Sequence, residues 1–302
     1  MDEFRVLVTG AAGHLGSHVV AELVKDGFAV RGWDIADPPS SVSDACEVAK
    51  VDLTDADAVQ EGLDGADVIV HCASIHPWKK YTDAQYVDAN VKGTWNLYAQ
   101  AADVGVNKIV LTSSIAATGY GNIPASACPV KEDQVFPLGD LYSFTKHAQE
   151  DIARLFADKG LIQTIALRPP AFMPKPNLQT GFSLTAAYAV VDDVTAAHVA
   201  AVRVLAGMWE PPEPLARFEA FYITNRVPYG TEDLVELEKD RDLRPLVKMH
   251  WPNAYDWLIE RGYEGGWLPG VYDLSKAKRL LNWSPMYNFD EWFEQETGRS
   301  AK

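Results

Sequence analysis

Residues 6–16 read VLVTGAAGHLG, an apolar run followed by glycines spaced three apart. The apolar run is typical of a β-strand, and the apolar residues that follow recur at helical spacing. Glycines at such a turn let the backbone bend tightly and approach a ligand, while the free N–H groups of the new helix face an anion. The pattern therefore predicts that Gly10, Gly13 and Gly16 hold the pyrophosphate of a dinucleotide. An ordinary glycine loop is the alternative, but the flanking strand and helix favour the dinucleotide.

A second apolar stretch, residues 29–34, ends in Asp34, 18 residues beyond Gly16. An acid at the end of the second strand of a dinucleotide fold is placed to accept hydrogen bonds from the adenosine ribose, and it repels a 2′-phosphate. Asp34 thus favours NAD over NADP as the cofactor. The alternative is an acid in a surface turn, because residues 35–41 are rich in proline and serine.

The composition indicates a soluble globular protein with a sizeable core. The chain has 302 residues, 47% of them hydrophobic and 23% charged, enough for one large domain or two unequal ones. Its net charge of -15 disfavours nucleic acid and anionic membranes as partners, because like charges repel. A small molecule held in a local pocket remains the expected partner.

The cysteines and histidines predict neither a disulfide framework nor a metal site. Cys46, Cys72 and Cys128 are odd in number, and neither they nor the seven histidines have metal-ligand spacing. We see no signal peptide and no apolar run long enough to span a membrane. A cytoplasmic location is the simplest expectation.

Strand-like and helix-like stretches alternate regularly up to about residue 170. Such alternation predicts an α/β fold, a Rossmann-type doubly wound parallel sheet with helices on both faces. Beyond Pro170 proline becomes more frequent and the alternation loosens. We therefore expect an NAD-binding domain over residues 1–170 and a smaller substrate-binding portion over 171–302, interleaved with the main sheet.

A tyrosine and a lysine four residues apart, Tyr142 and Lys146, share one face of a predicted helix. A phenol is a poor base near pH 7, and a neighbouring ammonium stabilises its phenolate and lowers its pKa. Ser113 and Ser114 end the predicted fifth strand, at the sheet edge where open α/β folds bind ligands. A serine there can donate a hydrogen bond to a substrate oxygen. The alternative is an amphipathic helix without a catalytic function.

Taken together, these motifs resemble those of an extended short-chain dehydrogenase/reductase of the NAD-dependent epimerase/dehydratase family, over essentially the whole chain. The matching stretches are residues 9–16, Asp34, 52–53, 71–74, 90–94, 112–114, 142–146, 168–170 and 191–194.

The resemblance implies that Tyr142 is the catalytic acid and base, that Lys146 lowers its pKa and binds the nicotinamide ribose, and that Ser114 orients the substrate oxygen. Ser113 is a second candidate for that task, and Asn90 matches an asparagine that is usually architectural. The other residues that the resemblance places at the cofactor are His14, Leu15, Asp52, Leu53, Cys72, Ala73, Ser74, Ser113, Pro169 and Phe172.

Departures from the family pattern reduce the number of reactions that fit the sequence. Ser114 is followed by Ile115 instead of the acidic pair of dehydratases, which argues against dehydration. Arg168 is followed by two prolines, and the asparagine and arginine with which epimerases bind a sugar-nucleotide diphosphate are missing. Parts of the chain are also similar to uronate dehydrogenases, although their asparagine is Ile115 here and their carboxylate-binding arginine has no clear counterpart.

Two loops supply the candidate substrate residues. They are Ser74, His76, Trp78, Ser114 and Phe172, with Lys79, Lys80 or Lys175 as candidate partners of a carboxylate.

The sequence thus predicts an NAD-dependent oxidoreductase that transfers hydride at a secondary hydroxyl or carbonyl of a sugar-like or small polar substrate, for example a uronate or sugar dehydrogenase. The alternatives are a nucleotide-sugar epimerase with tightly bound NAD and a catalytically silent NAD-binding protein. The resemblance also implies a homodimer formed through two predicted helices, residues 83–104 and 141–159.

Overall fold

The computed structural model describes residues 4–77, 79–121, 123–238, 241–266 and 270–302. Within these residues the chain forms a seven-stranded sheet in the order β3-β2-β1-β4-β5-β6-β7, with every neighbouring pair parallel. The strands are β1 Arg5–Thr9, β2 Ala29–Asp34, β3 Glu47–Lys50, β4 Val68–His71, β5 Lys108–Thr112, β6 Gln163–Arg168 and β7 Phe218–Tyr222. The predicted parallel α/β fold is therefore confirmed.

Helices cover both faces of the sheet, since its central strands are buried on both sides. In chain order they are α1 His14–Lys25, α2 Ser40–Ser43, α3 Ala56–Gly62, α4 Asp83–Tyr86, α5 Gly93–Val104, α6 Leu141–Asp158, α7 Asn177–Leu184, α8 Val191–Leu205, α9 Thr231–Leu237, α10 Arg244–His250, α11 Pro252–Glu260, α12 Ser275–Leu281 and α13 Phe289–Thr297. Apolar side chains of α1, α8 and α12 pack with one face of the sheet, and those of α3, α5 and α6 pack with the other.

A third apolar cluster lies largely in the C-terminal half, where Leu246 and Val247 of α10 pack with aromatic side chains of α11 and α13. Trp251 and Phe289 lie at its centre, with ring centroids 4.4 Å apart. Residues beyond 170 also supply β7 and α8 to the main sheet and its helical layer. The division into 1–170 and 171–302 stays a prediction.

Several elements differ in extent from the sequence expectation. The predicted helix over residues 83–104 is continuous but contains a π-helical segment, Val87–Lys92, between α4 and α5. Residues 46–53 also have a strand-like pattern, but β3 ends at Lys50. The Val51 N–H still donates to the carbonyl of Asp34 at the end of β2, and a turn that leads to α3 begins at Asp52. Among the described residues, no helix has the length and apolar character needed to cross a membrane.

Candidate active site

A cleft of about 650 Å3 opens at the carboxyl edge of the sheet. Its lining comes largely from the segments that follow β1, β2, β4, β5 and β6. The residues predicted at the cofactor line this cleft, with the exception of Lys146: they are Gly10, Gly13, His14, Leu15, Gly16, Asp34, Asp52, Leu53, Cys72, Ala73, Ser74, Ser113, Tyr142, Pro169 and Phe172. One cleft therefore joins the glycine turn to the serine and tyrosine.

The glycine turn is packed so closely that side chains do not fit. Gly10 has a φ of +71°, and a Cβ there would lie 2.7 Å from the backbone nitrogen of Ala73. A Cβ on Gly16 would overlap the carbonyl oxygen of Gly10. α1 begins directly after Gly13, so its first N–H groups face the cleft. The turn thus leaves an open cradle at a helix N-terminus, a geometry that suits an anion.

Asp34 ties the glycine turn to the end of β2. One carboxylate oxygen accepts a hydrogen bond from the Ala12 N–H at 2.9 Å, and the other accepts one from the Ala36 N–H at 2.9 Å. Because the side chain is only partly buried and lines the cleft, it keeps accepting capacity for a ligand.

Two aromatic rings from opposite walls approach each other above the glycine turn. The rings of His14 and Phe172 are nearly parallel, with centroids 6.4 Å apart. Nε2 of His14 is buried and has no hydrogen-bond partner among the described residues. Burial lowers the pKa of His14, and nearby His18 adds to this effect, so the imidazole is neutral near pH 7. His14 therefore has an unpaired, buried ring nitrogen beside the glycine turn.

Asn90 connects the end of β4 to α6. Its side-chain oxygen accepts hydrogen bonds from the Ser74 hydroxyl at 3.0 Å and from the Ile75 N–H at 2.8 Å. Its amide nitrogen donates to the Thr145 hydroxyl at 3.1 Å. Asn90 is fully buried within the π-helical segment and lies outside the cleft lining, so its position is architectural.

Ser114 and Tyr142 form the polar part of the wall opposite the glycine turn. The Ser114 hydroxyl accepts a hydrogen bond from the Ala116 N–H at 3.1 Å, which fixes its orientation at the end of β5. Burial raises the pKa of Tyr142, the hydrogen bond with Ser114 opposes this rise, and nearby Asp140 adds to it. The phenol is therefore protonated near pH 7 when the cleft holds no ligand.

Lys146 lies beneath the cleft surface instead of lining it. Its ammonium is fully buried, donates to the carbonyl oxygen of Thr112 at 2.9 Å and lies 6.0 Å from the centroid of the Tyr142 ring. Burial lowers the pKa of Lys146 to about 7. The expected lowering of the phenol's pKa is therefore not seen, because burial is the largest influence on the pKa of both Tyr142 and Lys146.

The hydroxyl of Ser113 turns away from the substrate side. It donates to the Glu150 carboxylate at 2.6 Å, and the same carboxylate receives two hydrogen bonds from Arg168 at 2.8 and 2.7 Å. Glu150 and Arg168 are both almost completely buried, and Arg154 donates to the carboxylate from its half-buried side. Ser113 therefore belongs to an ion-pair network that holds β5, β6 and α6 together.

Of the residues predicted to meet the substrate, Ser74, His76, Ser114 and Phe172 line the cleft, and Trp78 lies outside the described residues. The His76 ring lies 5.4 Å from that of Tyr142, and burial together with Lys146 lowers the pKa of His76 to about 3.

Only one of the three lysines predicted as partners of a substrate carboxylate lines the cleft. Lys79 lines the cleft, whereas Lys80 does not. Lys175 donates to the Ser183 hydroxyl at 2.6 Å and lies over the Tyr188 ring, so it also lies outside the cleft lining.

Comparison with known protein families identifies the family of the chain. Residues 6–182, more than half of the chain, match the NAD dependent epimerase/dehydratase family. The chain belongs to this family. The resemblance drawn from the motifs is therefore confirmed.

Curated relatives match part of the chain. The uronate dehydrogenase of Pseudomonas syringae pv. tomato is 30% identical over 177 residues, which are 57% of this chain and 61% of the relative. A 3 beta-hydroxysteroid dehydrogenase/Delta 5-->4-isomerase of Mycobacterium tuberculosis is 33% identical over 178 residues, 55% of this chain and 46% of the relative. The chain thus spans less than two thirds of these relatives.

Solved structures match the whole fold of this family member. Uronate dehydrogenase from Agrobacterium tumefaciens has a TM-score of 0.67 at 23% identity, covering 99% of this chain and 91% of that one. UDP-N-acetylglucosamine 4-epimerase from Bacillus cereus has a TM-score of 0.66 at 18% identity, with 97% of each chain covered. At these identities the likeness shows the fold.

The sequence patterns did not identify Glu150, which lies beneath the cleft and accepts hydrogen bonds from Ser113 and Arg168. The signal was present, because Tyr142, Lys146 and Glu150 follow one another at intervals of four on α6. A carboxylate on the stripe of a helix that faces a sheet needs a buried cationic partner. That partner, Arg168, was visible only in the tertiary structure.

Proposed function

We propose that this protein is an NAD-dependent oxidoreductase that transfers hydride at a secondary hydroxyl or carbonyl carbon of a small molecule. The observation that carries this proposal is the single cleft that joins the glycine turn to Ser114 and Tyr142, with Lys146 directly beneath. Membership of an NAD-dependent family and the relatives named as dehydrogenases support the same reaction class.

The residues present fit NAD. Gly10 and Gly16 leave a cradle that any side chain would fill, and the start of α1 suits a pyrophosphate. Asp34 suits the ribose hydroxyls of an adenosine and would repel a 2′-phosphate. Asp52 and Leu53 would lie at the adenine, and Cys72, Ala73 and Ser74 at the middle of the cofactor. When bound, NAD supplies the hydride acceptor or donor for the reaction.

The protein's own residues position the substrate oxygen and move its proton. The Ser114 hydroxyl donates only a long hydrogen bond, of 3.4 Å, to the Pro169 carbonyl, so it can turn its proton to the substrate oxygen. The Tyr142 hydroxyl lines the same cleft. In the reducing direction the protonated phenol gives its proton to the oxygen of the carbonyl. In the oxidising direction Tyr142 must be a phenolate to take the alcohol proton, and the Lys146 ammonium stabilises that anion.

Because Lys146 is buried, the charge on its amine depends on the pH and on the charge of Tyr142. With a pKa of about 7, the amine is partly protonated near neutral pH, and its charge is held close to the phenol by the Thr112 carbonyl. A new negative charge on Tyr142 favours the protonated form of Lys146, because opposite charges in a site of low dielectric attract strongly.

A spectrophotometric screen tests the proposal. Purified protein with added NAD is offered sugars, uronates, and cyclic and aromatic alcohols, and NADH formation is followed, with cofactor binding measured separately by calorimetry. We expect net NADH with at least one secondary alcohol. Product formation without net NADH, in protein that carries stoichiometric NAD, would indicate an epimerase. Cofactor binding without any turnover would indicate a silent binding protein.

A further inference from the structure

We propose that the substrate is a neutral secondary alcohol or ketone with an apolar body, carrying neither carboxylate nor phosphate. This inference rests on the proposed function and differs from the sugar-like or polar substrate expected from the sequence. It comes from the chemistry of the described residues around Ser114 and Tyr142.

The cleft walls outside the glycine turn are mainly apolar. Ile75 and Pro77 follow β4, Ile115 and Ala116 follow Ser114, and Phe172 and Met173 follow β6. A sugar or phosphate would lose water to these apolar surfaces and find few hydrogen-bonding groups there, whereas an apolar body gains from the contact.

The cations that a carboxylate or diphosphate would need are bound elsewhere. The Arg168 guanidinium is 1% exposed and is held by Glu150 and by the Glu132 carbonyl. Lys175 donates to Ser183, outside the cleft lining. Among the described lining residues, Lys79 is the one lysine or arginine, and its side chain is exposed.

The electrostatic surroundings of Tyr142 also disfavour an anion. The Asp140 carboxylate lies close enough to raise the pKa of the phenol, and the adjacent His76 ring is neutral near pH 7. The Lys146 ammonium lies beneath the floor with its hydrogen bond directed to Thr112. Among the described residues, a carboxylate placed beside the reacting carbon would therefore have only the buried Lys146 and the exposed Lys79 as cations to offset its desolvation, which is unfavourable.

A matched pair of ligands tests the inference without any reaction. Protein saturated with NADH is titrated by calorimetry with methyl 4-hydroxycyclohexanecarboxylate and with the free 4-hydroxycyclohexanecarboxylate. An alcohol and NADH form a dead-end complex, so binding is measured apart from catalysis. We expect the neutral ester to bind at least tenfold more tightly. Equal or tighter binding of the carboxylate, or no binding of the ester at millimolar concentration, would overturn the inference.

The same pair offered with NAD separates this inference from the proposed function. Tight binding of the ester without oxidation would contradict the proposed reaction and leave the substrate class standing. Efficient oxidation of the carboxylate, or of a uronate, in preference to neutral alcohols would support the reaction and overturn the substrate class.

A variant with a positive charge in the cleft provides a second test of the substrate preference. Met173 is 39% exposed and lines the cleft, so Met173→Arg adds a cation without disturbing the buried core. We expect this variant to reduce the preference for the ester at least fivefold. Met208→Arg is the control, because Met208 is 59% exposed and outside the cleft lining. An unchanged preference in Met173→Arg would contradict the inference.

Discussion

Asp34 combines a structural and a proposed cofactor-binding task. Its two oxygens hold the N–H groups of Ala12 and Ala36, and thereby fix the shape of the glycine turn. Its charge faces the region where the adenosine ribose is proposed to lie. Asparagine at this position removes the charge and keeps one of the two accepting oxygens, enough for the hydrogen bond from Ala12.

We predict that Asp34→Asn improves binding of NADPH relative to NADH by about tenfold, because the repulsion of the 2′-phosphate is lost while the hydrogen bond from Ala12 is retained. Fluorescence titration with each reduced cofactor measures the ratio. Asp37→Asn, an exposed acid in the adjacent loop and outside the cleft lining, is the control. A ratio unchanged in Asp34→Asn would show that Asp34 does not select the cofactor.

The buried amine of Lys146 has a measurable cost to stability. Its pKa is about 7 in the fold and 10.5 when exposed, so between these values the unfolded chain binds a proton that the folded chain does not. The destabilisation is complete below pH 7 and disappears as the pH rises towards 10.5. The amine therefore makes folding less favourable under the conditions in which its charge is most useful to Tyr142.

Replacing Lys146 by methionine tests this balance. We predict that below pH 7 the variant is more stable than the parent by roughly 3–5 kcal/mol, the free energy that corresponds to such a pKa change. The advantage should shrink steadily between pH 7 and 10. Denaturant unfolding of both proteins at several pH values measures it, and a difference that does not vary with pH would contradict the assignment.

At the scale of the elements, α6 is held to the sheet by a charged network as well as by apolar packing. Glu150 receives hydrogen bonds from Ser113 on the β5 side and from Arg168 at the end of β6. This network fixes the position of α6 relative to the ends of β5 and β6, and hence the positions of Tyr142 and Lys146.

We predict that Glu150→Ala destabilises the fold by about 3–5 kcal/mol, because Arg168 is left buried without its partner. Glu22→Ala, in an exposed pair with Lys25, should cost less than about 1 kcal/mol. Denaturant unfolding at one pH compares the two variants. A similar small loss in both would show that the buried pair does not hold α6 in place.

Local sequence patterns were sufficient to predict the strands and helices, because the glycine turn and the alternation of strands and helices depend on near neighbours in the chain. They were not sufficient for the directions of side chains. The Ser113 hydroxyl faces Glu150, and Lys146 donates to Thr112, because α6 packs against the end of β5 in a way that no local spacing specifies. The hydrogen bonds of Asn90 with residues 74–75 were equally hidden, since they join segments that are distant in the sequence.

At the scale of the whole molecule, α5 and α6 carry large apolar side chains at the surface. Trp95 on α5 is 44% exposed, and Phe144 and Leu155 on α6 are 51% and 40% exposed. Such side chains along two long helices fit the homodimer expected from the sequence, which we propose forms through this face.

We predict that the parent is a dimer and that Leu155→Glu shifts it to a monomer, because burying a charge at an apolar interface is costly. Sedimentation analysis or light scattering after gel filtration measures the mass. Met208→Glu, an equally drastic change at an exposed methionine elsewhere, should leave the dimer intact. A monomeric parent, or a Leu155→Glu variant that stays dimeric, would contradict the proposed interface.

In the proposed reaction Tyr142 exchanges the proton of the reacting oxygen while the cleft around the glycine turn holds NAD. Tyr142→Phe keeps the ring that packs against His76 and removes only the hydroxyl. The decisive measurement is kcat/KM of this variant on a substrate of the parent, with NADH affinity determined in parallel. We predict a loss of roughly 10²–10⁴-fold in kcat/KM with NADH affinity unchanged. A loss of less than about tenfold, with NADH still bound, would contradict the assignment of Tyr142 as the acid and base.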